Sequence, residues 1–337
     1  MYGQEASETL PTFSLDYDKL VIAVGTKSNT FGVPGVATDE ENRVHNPSGT
    51  NKHNLFFLKQ LEHARSIRNR TVECFERASS PFISNEERDR LLTFLIVGGG
   101  PTSIEFASEL YDFLHHDVSR WYPDLSDKYQ IVVVEAGNHL LGAFSENLSS
   151  YVEKKFKKRK IVTLTGESVQ EVQMNSVVLN SGRHLPYGVC VWSTGNKELD
   201  FVKNMGVELD RGRIVVNDRL LVKGHDSVFA LGDCARIDNN PLAMLAQVAN
   251  QQGKYLGTTL NSGKDTAFKY RFMGSMAGLG TFDAVADLPG SGKLRGFTAF
   301  LAWRAAYWTY SVSITNKMLI PMYWFKSYWF GRDISKF

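Results

Sequence analysis

Apolar residues in this chain gather into short runs that end on a glycine or an acid, and those runs set the expected elements. Residues 20–25 (LVIAVG) read as a buried strand closing on a glycine, and TKSNTFGVPG after it reads as a turn-rich crossing. Helical spacing is expected at Phe57, Leu61, Ala64 and Ile67. Residues 94–105 (FLIVGGGPTSIE) are an apolar run emptying into three glycines, and Ile104, Ala107, Leu110, Tyr111 and Leu114 continue at helical spacing. After a loop over 121–128, residues 131–134 form a β-branched run that ends in Glu135. Further strands are expected at 161–164, 177–179, 189–192, 214–216 and 228–231, and a helix over 242–260. Residues 37–54, polar and without an apolar period, read as a surface loop. The β-α-β order with shorter strands between about 90 and 207 predicts an α/β sheet that binds one nucleotide.

The glycine turn suggests the chemistry. Gly98, Gly99 and Gly100, followed by Pro101, Thr102 and Ser103, would place bare backbone N–H groups and a helix N-terminus against a pyrophosphate. Ser103 stands where a third glycine is usual and is small enough for close helix packing. Glu135 ends the next strand, where an acid reads the adenosine ribose, although it lies further from the glycines than the usual spacing of about 20 residues. A carboxylate there favours NADH over NADPH, whose 2′-phosphate it would repel. A plain packing turn between strand and helix is the alternative reading.

Composition narrows the classes. A length of 337 residues suits roughly two domains, and a net charge of +2 does not suggest nucleic acid. Cys74, Cys190 and Cys234 are far apart and form no C-x-x-C, so reduced thiols are expected rather than a redox pair or a zinc site. The first twenty residues match neither a signal peptide nor a transit peptide, and no uncharged run is long enough for a membrane-spanning helix. The basic cluster at 154–160 reads as a solvated helix face complementing the C-terminal dipole. Residues 297–330 hold twelve of the forty aromatics, and Arg304, Lys317 and Lys326 are their only charges. That composition suits a headgroup interface, with a core-packing helix pair or a dimer interface as the alternative.

Taken together, 17–35 (YDKLVIAVGTKSNTFGVPG), 97–109 (VGGGPTSIEFASE), 191–196 (VWSTGN), 229–235 (FALGDCA), 246–253 (AQVANQQG) and 321–337 (PMYWFKSYWFGRDISKF) resemble the type II, alternative NADH dehydrogenases. The resemblance implies two Rossmann-type nucleotide-binding domains of the FAD/NAD(P) flavoprotein class and a C-terminal amphipathic membrane-binding segment. It implies rotenone-insensitive, non-proton-pumping NADH:quinone oxidoreduction through non-covalent FAD, with ubiquinone or menaquinone as acceptor. Peripheral attachment to the mitochondrial inner membrane, through 297–330, follows from the same source, and homodimerisation stays open. By resemblance the glycine turn and Glu135 would hold NADH, with Glu105 close to the nicotinamide. Gly25 would lie close to the FAD diphosphate and Asp233 on the ribityl chain, with Gly195, Gly232 and Ala246 as further cofactor-binding positions. Gln247 and Gln251, four apart on one helix face, would aim their amides at the quinone. From the residues alone, a capping Asp and a plain polar face are the competing readings.

The chain also departs from the family pattern. A first βαβ unit with its own glycine fingerprint is expected before residue 94 and is not present in this sequence. The predicted organisation is therefore a partial FAD domain from 1–89 and 208–262, an NADH domain at 90–207 and a membrane-association region at 263–337. Without a central strand, FAD binding is expected to be severely weakened, while the 90–207 block is expected to fold. Two further readings stand beside the oxidoreductase. One is an NADH-binding, membrane-associated remnant or incomplete gene product without catalysis; the other is a disulfide or sulfide oxidoreductase, against which the unpaired cysteines speak.

Overall fold

The computed structural model describes residues 13–36, 54–263, 266–290, 292–311 and 313–334. It divides into two compact units, one drawn from 1–27 and 197–271, the other from 28–196 and 272–337. The chain begins in the first unit with β1 (Leu20–Ile22). It then supplies the second with β2 (Leu55–Phe57), α1 (Leu61–Ala78), α2 (Asn85–Leu91), β3 (Thr93–Val97) and α3 (Pro101–Asp112). A π-helical turn (Phe113–Val118) extends α3, and β4 (Gln130–Glu135), α4 (Glu146–Lys158) and β5 (Val162–Thr165) follow. Next come β6 (Val169–Val172), β7 (Ser176–Leu179), β8 (His184–Pro186) and β9 (Val189–Trp192). Back in the first unit are β10 (Arg213–Val216), β11 (Val228–Ala230), β12 (Ala235–Ile237) and α5 (Ala246–Ser262). The second unit is completed by β13 (Ser275–Gly278), β14 (Ala284–Leu288), β15 (Gly292–Arg295), α6 (Phe297–Tyr310) and α7 (Ile314–Phe330).

In the second unit a parallel sheet runs β2-β9-β3-β4-β5. Phe94, Ile96, Ile131, Val133, Val189 and Val191 pack under the helices, while their neighbours Leu95, Val97, Val132, Val134, Cys190 and Trp192 pack against the antiparallel β6-β7-β8 sheet. Both faces are covered, so these strands are apolar throughout. Two expectations are corrected here. Phe57 belongs to an edge strand, so the expected helix begins at Leu61 rather than Phe57; Ala64 and Ile67 lie in it as expected, Leu61 is exposed, and α1 buries Ile67, Cys74, Phe75 and Ala78. The nucleotide unit consequently starts near Ser28 rather than residue 90, because β2 and α1 complete its sheet and core. The loop expected at 121–128 begins within a short helix and contains a 3-10 turn. The loop expected at 37–54 lies almost wholly outside the described residues.

The antiparallel β13-β14-β15 sheet was not anticipated. Its turn is held by the basic end of α4: Lys155 pairs with Asp283 at 2.6 Å, and the Arg159 guanidinium donates to the Leu279 carbonyl at 2.6 Å. The cluster at 154–160 is thus a packing device as well as a solvated face. Helix α6 buries Ala299 and Phe300, whereas α7 buries no side chain. No helix among the described residues is long and apolar enough to cross a membrane.

In the first unit β1 pairs in parallel with β11, and β10 with β12. Ile22, Ile214, Val216, Val228, Ala230 and Leu256 form its core. Val21 and Val24 are exposed. Helix α5 starts at Ala246, four residues later than expected, and ends at Gly263 in the left-handed conformation that helix stops favour.

Candidate functional site

Register brings the glycine turn and the acid together. Val97 is paired with both Val134 and Trp192, so the residues after them, Gly98, Glu135 and Ser193, emerge at one carboxyl edge of the sheet. Gly98 donates its N–H to the Val134 carbonyl at 2.8 Å. Its φ is +117°, and a Cβ would lie 2.7 Å from the Ser193 carbonyl oxygen, so only glycine fits. Ser103 is fully buried and its hydroxyl donates to that same carbonyl at 3.2 Å, fastening α3 to the neighbouring strand end. Gly100 caps α3, Pro101 is its first residue, and nothing lies within 4 Å of where a Gly100 side chain would point. The first intrahelical bond is Ile104 N–H to Gly100 C=O at 3.1 Å, which leaves the Thr102 and Ser103 amides facing outward for an anion.

The Glu135 carboxylate accepts from the Gly99 amide and, at 2.6 Å, from the Gly137 amide. A Cβ on Gly99 would stand 2.8 Å from that carboxylate, so the absence of a side chain lets the acid close onto the turn. The spacing that looked long in sequence is absorbed by the π-helical turn and the short helices that follow it. Gly195 has φ +69° and sits against Phe31 and Asn29, beside the hydrogen bond from Trp192 Nε1 to the Asn29 carbonyl at 2.9 Å.

Glu105 lies in the second turn of α3. Its Oε1 accepts from the Gly278 amide at 2.9 Å and from Trp303 Nε1 at 3.0 Å. Burial pushes this carboxyl above its ordinary range, and the two donors oppose the shift by favouring the charged form. Three more acids continue along the same helix. Asp112 accepts from the Thr281 amide and hydroxyl, Glu109 pairs with the Arg332 guanidinium, and Asp117 accepts from the Arg332 amide at 2.9 Å. The π-helical turn supplies the wider pitch that puts Asp112 and Asp117, five apart, on one buried face. All four acids grip the region after residue 272, Glu109 and Asp117 sharing Arg332. The sequence showed these acids but gave no partner for any of them.

The remaining site residues lie in the first unit. Gly25 has φ +69° with nothing within 4 Å of its missing side chain. The Gly232 amide donates to Oε1 of Gln252 at 2.7 Å, and this buried glutamine, overlooked in the sequence, fixes the Gly232-Asp233 turn. Only its place one step along the helix from Gln251 could have drawn notice to it. Asp233 is partly exposed and makes no hydrogen bond among the described residues. Ala246 opens α5 and Gln247 follows it. The Gln251 amide is engaged from both ends, donating to the Arg271 carbonyl at 2.8 Å and accepting its N–H at 3.0 Å. Contrary to expectation, Gln251 is thus tied to backbone.

Comparison with known proteins decides the family. Residues 4–253 match the pyridine nucleotide-disulphide oxidoreductases, and residues 272–333 match the NDH2 C-terminal domain. The chain is 41% identical to a probable NADH dehydrogenase of Dictyostelium discoideum, over 96% of this chain and 70% of that protein. It belongs to the type II NADH dehydrogenases. It is 35% identical to the mitochondrial external NADH-ubiquinone oxidoreductase 2 of Saccharomyces cerevisiae, spanning 64% of that protein's length. The structure of NDH2 from Plasmodium falciparum in complex with NADH superposes with a TM-score of 0.85 at 25% identity, covering 96% of this chain and 80% of that one.

For a type II NADH dehydrogenase the residues present fit a dinucleotide. The open side of Gly100, the outward amides of α3 and the carboxylate at the adjacent strand end match a diphosphate and a ribose. The FAD elements that the first unit holds fit as well, with Gly25 open and Asp233 free to accept. All three cysteines are free and buried, which removes the paired thiols a disulfide reductase would use.

Proposed function

We propose that this chain oxidises NADH and delivers electrons to a quinone, as a peripheral protein of the mitochondrial inner membrane. The observation that carries this reading is the open glycine turn at the start of α3 with Glu135 closed onto it. The α3 amides bind the diphosphate and Glu135 takes a ribose hydroxyl, which selects NADH. Glu105, one helical turn beyond, stands toward the nicotinamide and holds its charge against Gly278 and Trp303. Bound FAD supplies the two-electron acceptor that the side chains lack. Gly25, Gly232, Asp233 and Ala246 of the first unit would hold it. Gln247 faces the quinone, joined by Gln251 once Arg271 releases its amide. The names of the relatives, mitochondrial NADH-ubiquinone oxidoreductases, support acceptor and location. The unburied α7, rich in aromatics and carrying Lys317 and Lys326 but no acid, supports attachment to a membrane surface.

FAD is held weakly in this reading, because β1 has β11 as its only strand partner among the described residues and Val21 and Val24 are exposed. The deciding experiment is a visible spectrum after incubation with FAD and gel filtration, then anaerobic NADH. A flavin band that bleaches supports the oxidoreductase. A colourless protein that still binds NADH supports the second reading, a nucleotide-binding remnant.

A further inference from the structure

Arg304, on α6, lines a cavity of about 880 Å³ between the π-helical turn, the β13-β14 turn and helices α6 and α7. Its guanidinium lies 4.0 Å from the centre of the Trp324 ring and 4.7 Å from that of Phe300. It makes no hydrogen bond or ion pair among the described residues, and its Nε is buried without a partner. A half-buried cation that stacks on ring faces and makes no hydrogen bond is short of an acceptor, since a guanidinium offers five donors. The acids nearby do not supply one, because Glu109 and Asp117 are taken by Arg332. With Arg120 also at the cavity, three arginines face two carboxylates, leaving an excess of positive charge.

Much of the rest of the wall is aromatic, with His116, Thr281 and Ser327 among it. Phe282, Phe300, Trp324 and Tyr328 line it, and Phe282 meets Tyr328 edge to face at 5.8 Å. A bare inorganic anion would satisfy Arg304 and leave the aromatic volume unfilled; a neutral chain would do the reverse. We propose that this cavity binds a phosphate-bearing lipid, with the phosphate on Arg304 and Arg120 and one acyl chain among the rings. The lipid would come from the bilayer that α7 faces, so its source rests on the membrane reading above, whereas the site itself does not.

The test uses the purified full chain with FAD added, in native mass spectrometry and calorimetry. The probes are monomeric dihexanoylphosphatidic acid, dihexanoylglycerol and inorganic phosphate. One phosphatidic acid per chain is expected, binding at least tenfold more tightly than either of the others. Arg304→Gln should weaken it tenfold or more, and Trp324→Leu should weaken it while leaving the charge in place, so a folding defect in one variant does not decide the matter. Equal binding of dihexanoylglycerol, tight binding of inorganic phosphate alone, or unchanged affinity in both variants would overturn the site. Displacement by equimolar decylubiquinone would also overturn it, assigning the cavity to the quinone. Failure to sediment with phosphatidylcholine vesicles while phosphatidic acid still binds would support the site and sink the membrane reading alone.

Discussion

Gly98 and Gly99 have no side chain for different reasons, and substitution separates them. At Gly98 both the left-handed backbone and the approach of the Ser193 carbonyl forbid a Cβ. Gly98→Ala should cost about 1–3 kcal/mol in urea unfolding and abolish NADH binding. At Gly99 the obstacle is the Glu135 side chain, which can move, so Gly99→Ala should keep most stability and weaken NADH binding. Equal destabilisation by the two would contradict this account. The cysteines illustrate what burial does to reactivity. Burial pushes the Cys74 thiol up to about 11 and raises Cys190 as well, so almost no thiolate exists near neutral pH. A colorimetric disulfide reagent at pH 8 should therefore label neither of these two until urea unfolds the chain. The glycine turn and the acid were legible in the sequence because backbone geometry restricts which residues can stand there. Gln252 was not, because its value lies in reaching Gly232, a contact that only the folded turn creates.

Helix α3 is read from one end by nucleotide chemistry and along its side by packing. Trp303 lowers the cost of a charged Glu105, and Gly278 leaves room for that indole, since a Cβ there would come within 3.2 Å of the ring. Trp303→Phe keeps the ring and deletes the donor. The Glu105 titration should then move further upward, seen as a protonated-carboxyl infrared band persisting to higher pH, and absent in Glu105→Gln. No movement would show that the Gly278 amide alone sets the charge. The strands β3, β4 and β9 were predicted within a residue or two because both faces are buried and the runs are apolar throughout. Strand β2 was missed because three residues carry no period, and Phe57 falls by chance at helical spacing from Leu61. The β13-β14-β15 sheet was missed for a related reason: small residues (Ala277, Gly278, Ala284, Ala286 and Gly292) interrupt it, and α4 and α6 pack against it where its own apolar pattern is weak.

At the scale of the whole molecule, the chain contributes to each unit in two separate stretches. A fragment of residues 90–207 would lack β2, α1 and the α6 contacts, and Ile67, Cys74 and Phe75 would be missing from its core. It should show no cooperative urea transition, and a sharp one would refute the assignment of those elements to this sheet. Replacing Phe325, Trp329 and Phe330 by serine should leave that transition in the full chain intact, because α7 buries none of them. The same triple variant should lose vesicle binding at least tenfold, given roughly 1.5–3 kcal/mol for burying a large apolar side chain. The family resemblance was legible across most of the sequence; the grip of α3 on everything after residue 272 was not, since it depends on angular phase rather than composition. The π-helical turn shows how narrow that phase is. Each residue of an α-helix advances the facing direction by about 100°. Deleting one residue from 113–118 would give a more regular helix by local rules, yet would swing Asp117 away from the Arg332 amide and untie the tail. Improving the part would damage the whole, and the sequence stores that conflict as a single surplus residue.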